Sequence, residues 1–386
     1  HAAGRAKALN ALLAETAPET FLKETGMVHP ALASYPLPTI RVLKEQLSPG
    51  QLLLQPKDYL CWRFSGQPLT DAYSWRGLAN PLTGQYSDRL LAAEGMNPGM
   101  LPDIAPLTSM SREGAALTGL REGTPVFVGL NDFYASLVGM GPLSIGDAFD
   151  VTGTSEHIGL VVDGPLPAHQ VRSPFPGGAY VHYGVTASAG VSLTWGAAVL
   201  GEAEPAFQHN APLFLPYLRG ERTPVSDETA RGMFAGITPQ TTSEAMRYAV
   251  YEGVSFTLLH IMEALGAEKP RRLCATGGAV RLPMLNLMKA SLLDVPLAVP
   301  ALSSGSAIGA VKLAGASLAA ETTEVAPDPA LGARMRERYP AWKNMYRAWK
   351  DMTADQDITR LFGGTNVKSE GTKAVGKITY LFHLLM

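Results

Sequence analysis

A chain of 386 residues is longer than one ordinary hydrophobic core organises, so two domains is the natural expectation. Hydrophobic residues at 46% and charged residues at 17% describe a soluble globular protein with ample apolar material to bury. A formal net charge of −2 excludes the basic footprint of a nucleic-acid or anionic-membrane binder, although local glycine-rich backbone can still hold a phosphate.

No run of 18 apolar residues and no signal peptide occurs, which makes the cytoplasm the expected compartment. The two cysteines, Cys61 and Cys274, stand in apolar settings and read as reduced core thiols. Neither a CxxC nor a Cys/His cluster suggests zinc.

In chain order, residues 1–14 read as a helix rich in Ala and Leu. A proline-punctuated stretch follows, with a short helix expected at 40–46 and another entering at Pro56. Residues 98–119 mix loop and helix, and 124–130 (TPVFVGL) form a buried-strand candidate. Short strands are expected at 147–151, 157–162 and 179–185, and a helix at 190–200. A long amphipathic helix capped by Ser243 should span 243–265. A strand at 271–275 leads into Gly277-Gly278, followed by helices at 283–293 and 305–320, the latter rich in small residues and able to pack closely. Alternating strands and helices favour α/β layers, with a boundary near 139–146. Gly363–Met386 has no secure place in this pattern.

Three turns could carry chemistry, and each has a plainer alternative. Asp132 follows a candidate strand, where α/β sheets place their ligands; it could be a general base or simply the cap of the next helix. Thr152-Gly153-Thr154-Ser155 lies between two strands and is either a phosphate cradle or an ordinary hairpin turn. Thr276-Gly277-Gly278-Ala279 lets backbone approach a flat ligand, as many strand-to-helix turns do. The charged loop Glu221-Arg222-Thr223-Pro224 reads as solvated surface.

Taken together, the order and spacing of these segments resemble the FGGY family of carbohydrate kinases, over about residues 1–318. The segments that carry the resemblance are GLREGTPVFVGLNDFYASLVGMG, DAFDVTGTSEHIG, SAGVSLTWGAAVLG, PYLRGERTPVSDETARGMFAGI and ATGGAVRLPMLNLMKASLLDVPL. It implies an α/β fold of two ribonuclease H-like domains of the actin/hexokinase/Hsp70 superfamily around a cleft, the first domain incomplete. Residues 1–142 would be the rest of a sugar-binding domain, 143–350 a nucleotide-binding domain, and 351–386 an unassigned tail.

The resemblance further implies ATP and Mg²⁺ as cofactors and Asp132 as catalytic base, with Asp132 and Phe133 at the substrate; family members often place a polar residue where Phe133 stands. Gly153, Thr154, Ser155, Gly190, Thr194, Gly277, Gly278 and Leu282 would meet ATP, and no residue is assigned as a metal ligand. The implied reaction is ATP-dependent phosphorylation of a sugar or polyol hydroxyl, with a pentulose such as xylulose the leading acceptor. The oligomeric state stays open, a homodimer being the commonest kind of assembly in general. The family's leading Asp-x-Gly-Thr-type motif, which holds Mg²⁺ and phosphates, does not occur. The leading segment is therefore expected to be missing. The alternative is a truncated, non-catalytic nucleotide- or partner-binding member of the same superfamily.

Overall fold

The computed structural model describes residues 2–354, apart from 29–32, 34, 49, 166–171 and 319–320. Prolines in the first turn open helices Pro18–Thr25, Pro36–Leu43 and Pro56–Ser65, where a missing N–H costs nothing. The helix expected at 40–46 thus starts earlier, at Pro36, and its last residues tighten into a 3₁₀ turn, Lys44–Gln46. These helices, with Ala2–Glu15, bury Leu12, Phe21, Leu37, Ile40, Trp75 and Leu91 in one core. Asp58 lies fully buried beneath it, accepting from Trp75 Nε1 at 3.0 Å and Thr70 Oγ1 at 2.6 Å.

The strand expected at 124–130 is corrected to Pro125–Phe127, one strand of a two-stranded antiparallel sheet with Leu107–Ser109. With a single neighbour and no layer over its outer face it is only half covered: Val126 is buried, while Phe127 is 45% exposed.

The elements that position the site are numbered from here: α1 (Asp132–Gly139), β1 (Ala148–Thr152), β2 (Glu156–Val162), β3 (Arg172–Pro174), β4 (Tyr180–Thr186), α2 (Ala189–Leu200), α3 (Ser243–Ala264), β5 (Leu273–Gly277), α4 (Pro283–Leu293), β6 (Leu297–Pro300), α5 (Gly305–Leu313), β7 (Thr322–Val325) and α6 (Pro329–Thr353). The strands form one mixed sheet in the order β7-β6-β5-β1-β2-β4-β3. β5 runs parallel to β1 and β6, and the other pairs are antiparallel.

Three expectations change here. α3 is not a half-exposed amphipathic helix: residues 248–258 are buried throughout, because α2, α4, α6 and strands of the sheet surround it. Its cap is Thr242, whose Oγ1 accepts from Ala245 N at 3.1 Å, and not Ser243. α5 ends at Leu313 rather than 320, and its glycines do pack closely. A Cβ on Gly309 would fall 1.8 Å from Ala135 O, and one on Gly139 would fall 1.9 Å from Gly305 O. The backbones of α1 and α5 therefore touch directly.

α6 went unanticipated, since Pro340 interrupts its pattern, yet its apolar stripe Met335, Tyr339, Trp342, Met345 and Trp349 completes the largest core. It carries ordered chain to Thr353; Gly363–Met386 lies outside the described residues. Both cysteines are buried and free.

Candidate active site

Asp132 is not the cap of α1. Past Gly129, whose φ of 69° reverses the chain, Asn131 takes that position and its Oδ1 accepts from Tyr134 N at 3.0 Å. Asp132 is thereby left exposed at the first helical residue, its Oδ1 accepting only the adjacent Phe133 N at 2.8 Å. A carboxylate at a helix N-terminus is favoured by the helix dipole.

Phe133 turns the other way. It is 7% exposed and packs against Tyr134, Phe149, His157 and Tyr183 at ring-centroid distances of 4.8–6.0 Å. The polar tip in this cluster belongs to His157 on β2. Burial pushes the His157 pKa down to about 4; the nearby Asp132 charge opposes this, and Arg76 and Arg222 add to it.

This carries a pH dependence. An unfolded histidine titrates near ~6.5, so the neutral folded His157 contributes stability above that pH, which is lost as pH falls toward about 4. The wild type is expected to lose more thermal stability than His157→Phe between about pH 7 and pH 4.5. Parallel melting curves of the two proteins at those pH values check this, and equal losses would refute it.

Two residues before His157, the Gly153–Ser155 turn joins β1 to β2, with Gly153 N donating to Ser155 O at 2.9 Å. The N-terminus of α2 is pressed onto this turn. A Cβ on Gly190 would fall 2.0 Å from Gly153 O, and Val191 N donates to Thr154 O at 3.3 Å. Gly153 and Thr154 are exposed, Ser155 is half-buried, and Thr194 is exposed one turn along α2 from Gly190. Turn N–H groups beside a helix N-terminus suit a phosphate.

The same turn meets the second glycine segment. Gly277 pairs with Thr152 in parallel register, at a φ of 102°, and a Cβ there would fall 2.3 Å from Thr152 O. Gly278 starts the 3₁₀ turn Gly278–Arg281, with open space above it, so a flat ligand could lie against the backbone. Leu282 is the N-cap residue of α4, its side chain packed on the large core. The fold thus gathers Gly153, Thr154, Ser155, Gly190 and Gly277 at one junction, with Asp132 within electrostatic range of the adjoining His157.

Sequence reasoning missed what lies under the turn. Lys289 on α4 is 2% exposed, and its Nζ stands 2.5 Å from both Asp150 Oδ2 and Glu156 Oε1. Thr152 Oγ1 joins them, donating to Asp150 Oδ1 at 2.5 Å. Burial and the neighbouring Asp150 raise the Glu156 pKa to about 7, while Lys289 is held protonated by the two carboxylates it bridges. The available signal was three charges inside otherwise apolar windows, Asp150, Glu156 and Lys289.

Glu221 also departs from expectation. It is 3% exposed rather than solvated: Oε1 accepts from Ala187 N at 2.9 Å and Oε2 from Thr186 Oγ1 at 2.8 Å. It ties the loop 219–228 to the approach of α2, and Arg222 beside it remains exposed. Burial raises its pKa to about 7 against those donors.

Among the described residues no group of three or more His, Cys, Asp or Glu could hold a metal ion. No described helix is long and apolar enough to cross a membrane.

Residues 149–318 match the model of the FGGY family of carbohydrate kinases, C-terminal domain. A xylulose kinase of Lactococcus lactis subsp. lactis is 27% identical over 361 residues, covering 82% of this chain and 72% of that protein. A xylulose kinase of Klebsiella pneumoniae is 30% identical over 247 residues, covering 58% of this chain and 51% of that protein. The chain therefore spans between half and three quarters of the length of these two relatives. Among solved structures, a ligand-bound xylulose kinase from Lactobacillus acidophilus superposes with a TM-score of 0.74 at 24% identity, covering 89% of this chain and 78% of that one, which shows the two-domain sugar-kinase fold. Over residues 149–318, then, the chain matches the C-terminal domain of the FGGY carbohydrate kinases, and these relatives extend the similarity on both sides.

Proposed function

We propose that the protein transfers the γ-phosphoryl group of ATP to a hydroxyl of an open-chain sugar or polyol, with Asp132 as general base and a pentulose such as xylulose the leading acceptor. One observation carries the reading: Asn131 takes over the capping role, leaving the Asp132 carboxylate exposed at the start of α1. Similarity to two xylulose kinases supports the pentulose.

In the reaction the acceptor oxygen bonds to the γ-phosphorus as the bond to the β-phosphate oxygen breaks. ADP leaves, and the hydroxyl proton passes to Asp132. The transition state is loose, so the protein's task is positioning and charge stabilisation. N–H groups of the 153–155 turn and the α2 N-terminus would hold the phosphates, with Gly277 and Gly278 under the adenosine. Thr194, on the exposed side of α2, would border the nucleotide. Leu282 would meet the adenosine only along its backbone, since its side chain is engaged in the core. Mg²⁺ would enter with the nucleotide, since the described residues supply no cluster for it.

The test is a coupled ADP-release screen across pentuloses, hexuloses and polyols, run beside calorimetric titration with ATP. ATP-dependent turnover of one acceptor class is expected. Nucleotide binding without turnover of any acceptor would overturn the reading in favour of a non-catalytic binding protein.

Gly190 gives a second, independent check. A valine side chain there collides with Gly153 O and must displace either the turn or α2. Gly190→Val is expected to weaken ADP binding by roughly tenfold or more, measured by calorimetry, with the chain still folded. Unchanged affinity would remove the 153–155 turn from the nucleotide site.

A further inference from the structure

Asp132 is exposed, yet the two residues after it are held fast. Phe133 packs against Tyr183 on β4 at a ring-centroid distance of 4.8 Å. Tyr134 is fully buried and donates from Oη to Pro174 O on β3 at 2.9 Å. Both grips reach across to the leading part of the chain. The Tyr183 hydroxyl stands 2.7 Å from that of Tyr35, which is also 3.4 Å from Ser173 Oγ. The Tyr134 ring centroid lies 5.1 Å from that of Tyr73 and 5.1 Å from the Arg76 guanidinium, which in turn sits 4.4 Å from the ring centroid of Tyr35.

The leading side of this seam is rooted in its own core. Tyr35 precedes helix Pro36–Leu43, which buries Leu37 and Ile40, and Arg76 follows Trp75, which is buried and donates to Asp58. Arg76 Nη1 donates to Tyr73 O at 3.1 Å, which ties that turn to itself. Neither side can shift past the other without parting the Tyr35 and Tyr183 hydroxyls, both of which are buried. A buried hydroxyl that loses its partner has no water to turn to, so the pair resists separation. The Arg76 guanidinium adds cation–π attraction to the Tyr134 face across the same seam. Burial raises the Tyr183 pKa, so its phenol stays neutral and keeps a proton to share with Tyr35.

The consequence falls on Asp132. The route is short: Tyr35 Oη to Tyr183 Oη, the Tyr183 ring to the Phe133 ring, and Phe133 N to Asp132 Oδ1 at 2.8 Å. We propose that the Tyr35–Tyr183 hydroxyl pair is a brace that fixes the first turn of α1 against the leading core, and that both tyrosines are positioning residues for Asp132. This rests on the kinase reading above and adds how the base is held. A general base must sit within hydrogen-bond reach of the hydroxyl it serves, and a displacement of about 1 Å can cost ~10²-fold in rate. Phe133 thereby serves the site as the surface that Tyr183 grips.

The experiment uses the full chain with ATP and Mg²⁺, and D-xylulose, D-gluconate or glycerol as acceptor, whichever turns over fastest. It compares the wild type with Tyr35→Phe, Tyr183→Phe and the double variant, which keep the rings and remove only hydroxyls. Coupled ADP release gives kcat and KM, calorimetry gives ADP affinity, and hydrogen–deuterium exchange follows peptides over 131–140 and 283–293. Each single variant is expected to lower kcat roughly tenfold, with ADP affinity and acceptor KM within about threefold of the wild type. The double variant should be no slower than either single one, because the same hydrogen bond is lost in all three. Exchange over 131–140 should quicken while 283–293, on α4, stays at the wild-type rate. Parental kcat in both single variants overturns the proposal, and so does unchanged exchange over 131–140. Additive losses in the double variant overturn it by making the two hydroxyls independent. A fall in ADP affinity as large as the fall in kcat overturns it by making the tyrosines merely structural. The two single variants lie on opposite sides of the seam, so misfolding of one leaves the other to decide. Quickened exchange over 131–140 in a chain that phosphorylates none of the three acceptors supports the brace and removes the kinase reading.

Discussion

Asp132→Asn is expected to lower kcat by about 10³-fold while ATP and acceptor bind with nearly parental affinity. The substitution keeps size and hydrogen-bonding geometry but removes the ability to take a proton. Its structural cost should be small, because Asp132 is exposed and the capping bond belongs to Asn131. The electrostatic change is local: the charge that opposes the lowered pKa of His157 is lost, so that pKa should fall further. Steady-state kinetics with calorimetry separates binding from chemistry. Parental turnover in this variant would mean that another group, or none, accepts the hydroxyl proton.

The second large effect is on stability. Lys289→Met should destabilise the chain by about 3–5 kcal/mol, because it leaves Asp150 and Glu156 facing one another in the interior with no cation between them. The loss should depend on pH with a definite sign. Without Lys289 the folded-state pKa of Glu156, already raised to about 7, rises further above its unfolded value. Such a carboxylate is tolerated while protonated, and stability is lost as pH rises through the folded pKa. Urea melts at about pH 5 and pH 8 should therefore show a larger deficit at the higher pH. Nucleotide affinity should fall too, since Thr152 and Glu156 flank the 153–155 turn. A deficit independent of pH would mean that the cluster is not charged as described.

Much of the second domain was legible because its elements are short and carry local signals. Pro283 starts α4, the turn at 153–155 separates two strands, and Gly277 ends β5, each near its expected place. Boundaries moved where the deciding partner is distant in sequence. The 124–130 segment looks like a buried strand by composition, but one neighbour and an open outer face leave it a three-residue arm. α3 reads as amphipathic because polar residues interrupt its apolar pattern, whereas Glu252, Ser255 and Thr257 find partners inside: Arg338 for Glu252, Tyr251 O for Ser255 and Glu156 for Thr257.

For the site, the amino-acid sequence alone placed the glycine turns and the carboxylate at 132, since these depend on backbone constraints and chain neighbours a few residues away. It could not tell whether Asp132 capped its helix, because Asn131 and Asp132 are both good caps and only the bend at Gly129 decides between them. Nor could it show the Asp150–Glu156–Lys289 cluster, Glu221 turned inward, or Arg76 laid against the rings of Tyr35 and Tyr134. Each of these joins residues separated by tens to more than a hundred positions. Charge pairing inside a protein is set by which groups the packed chain removes from water together, and that is a property of the tertiary structure.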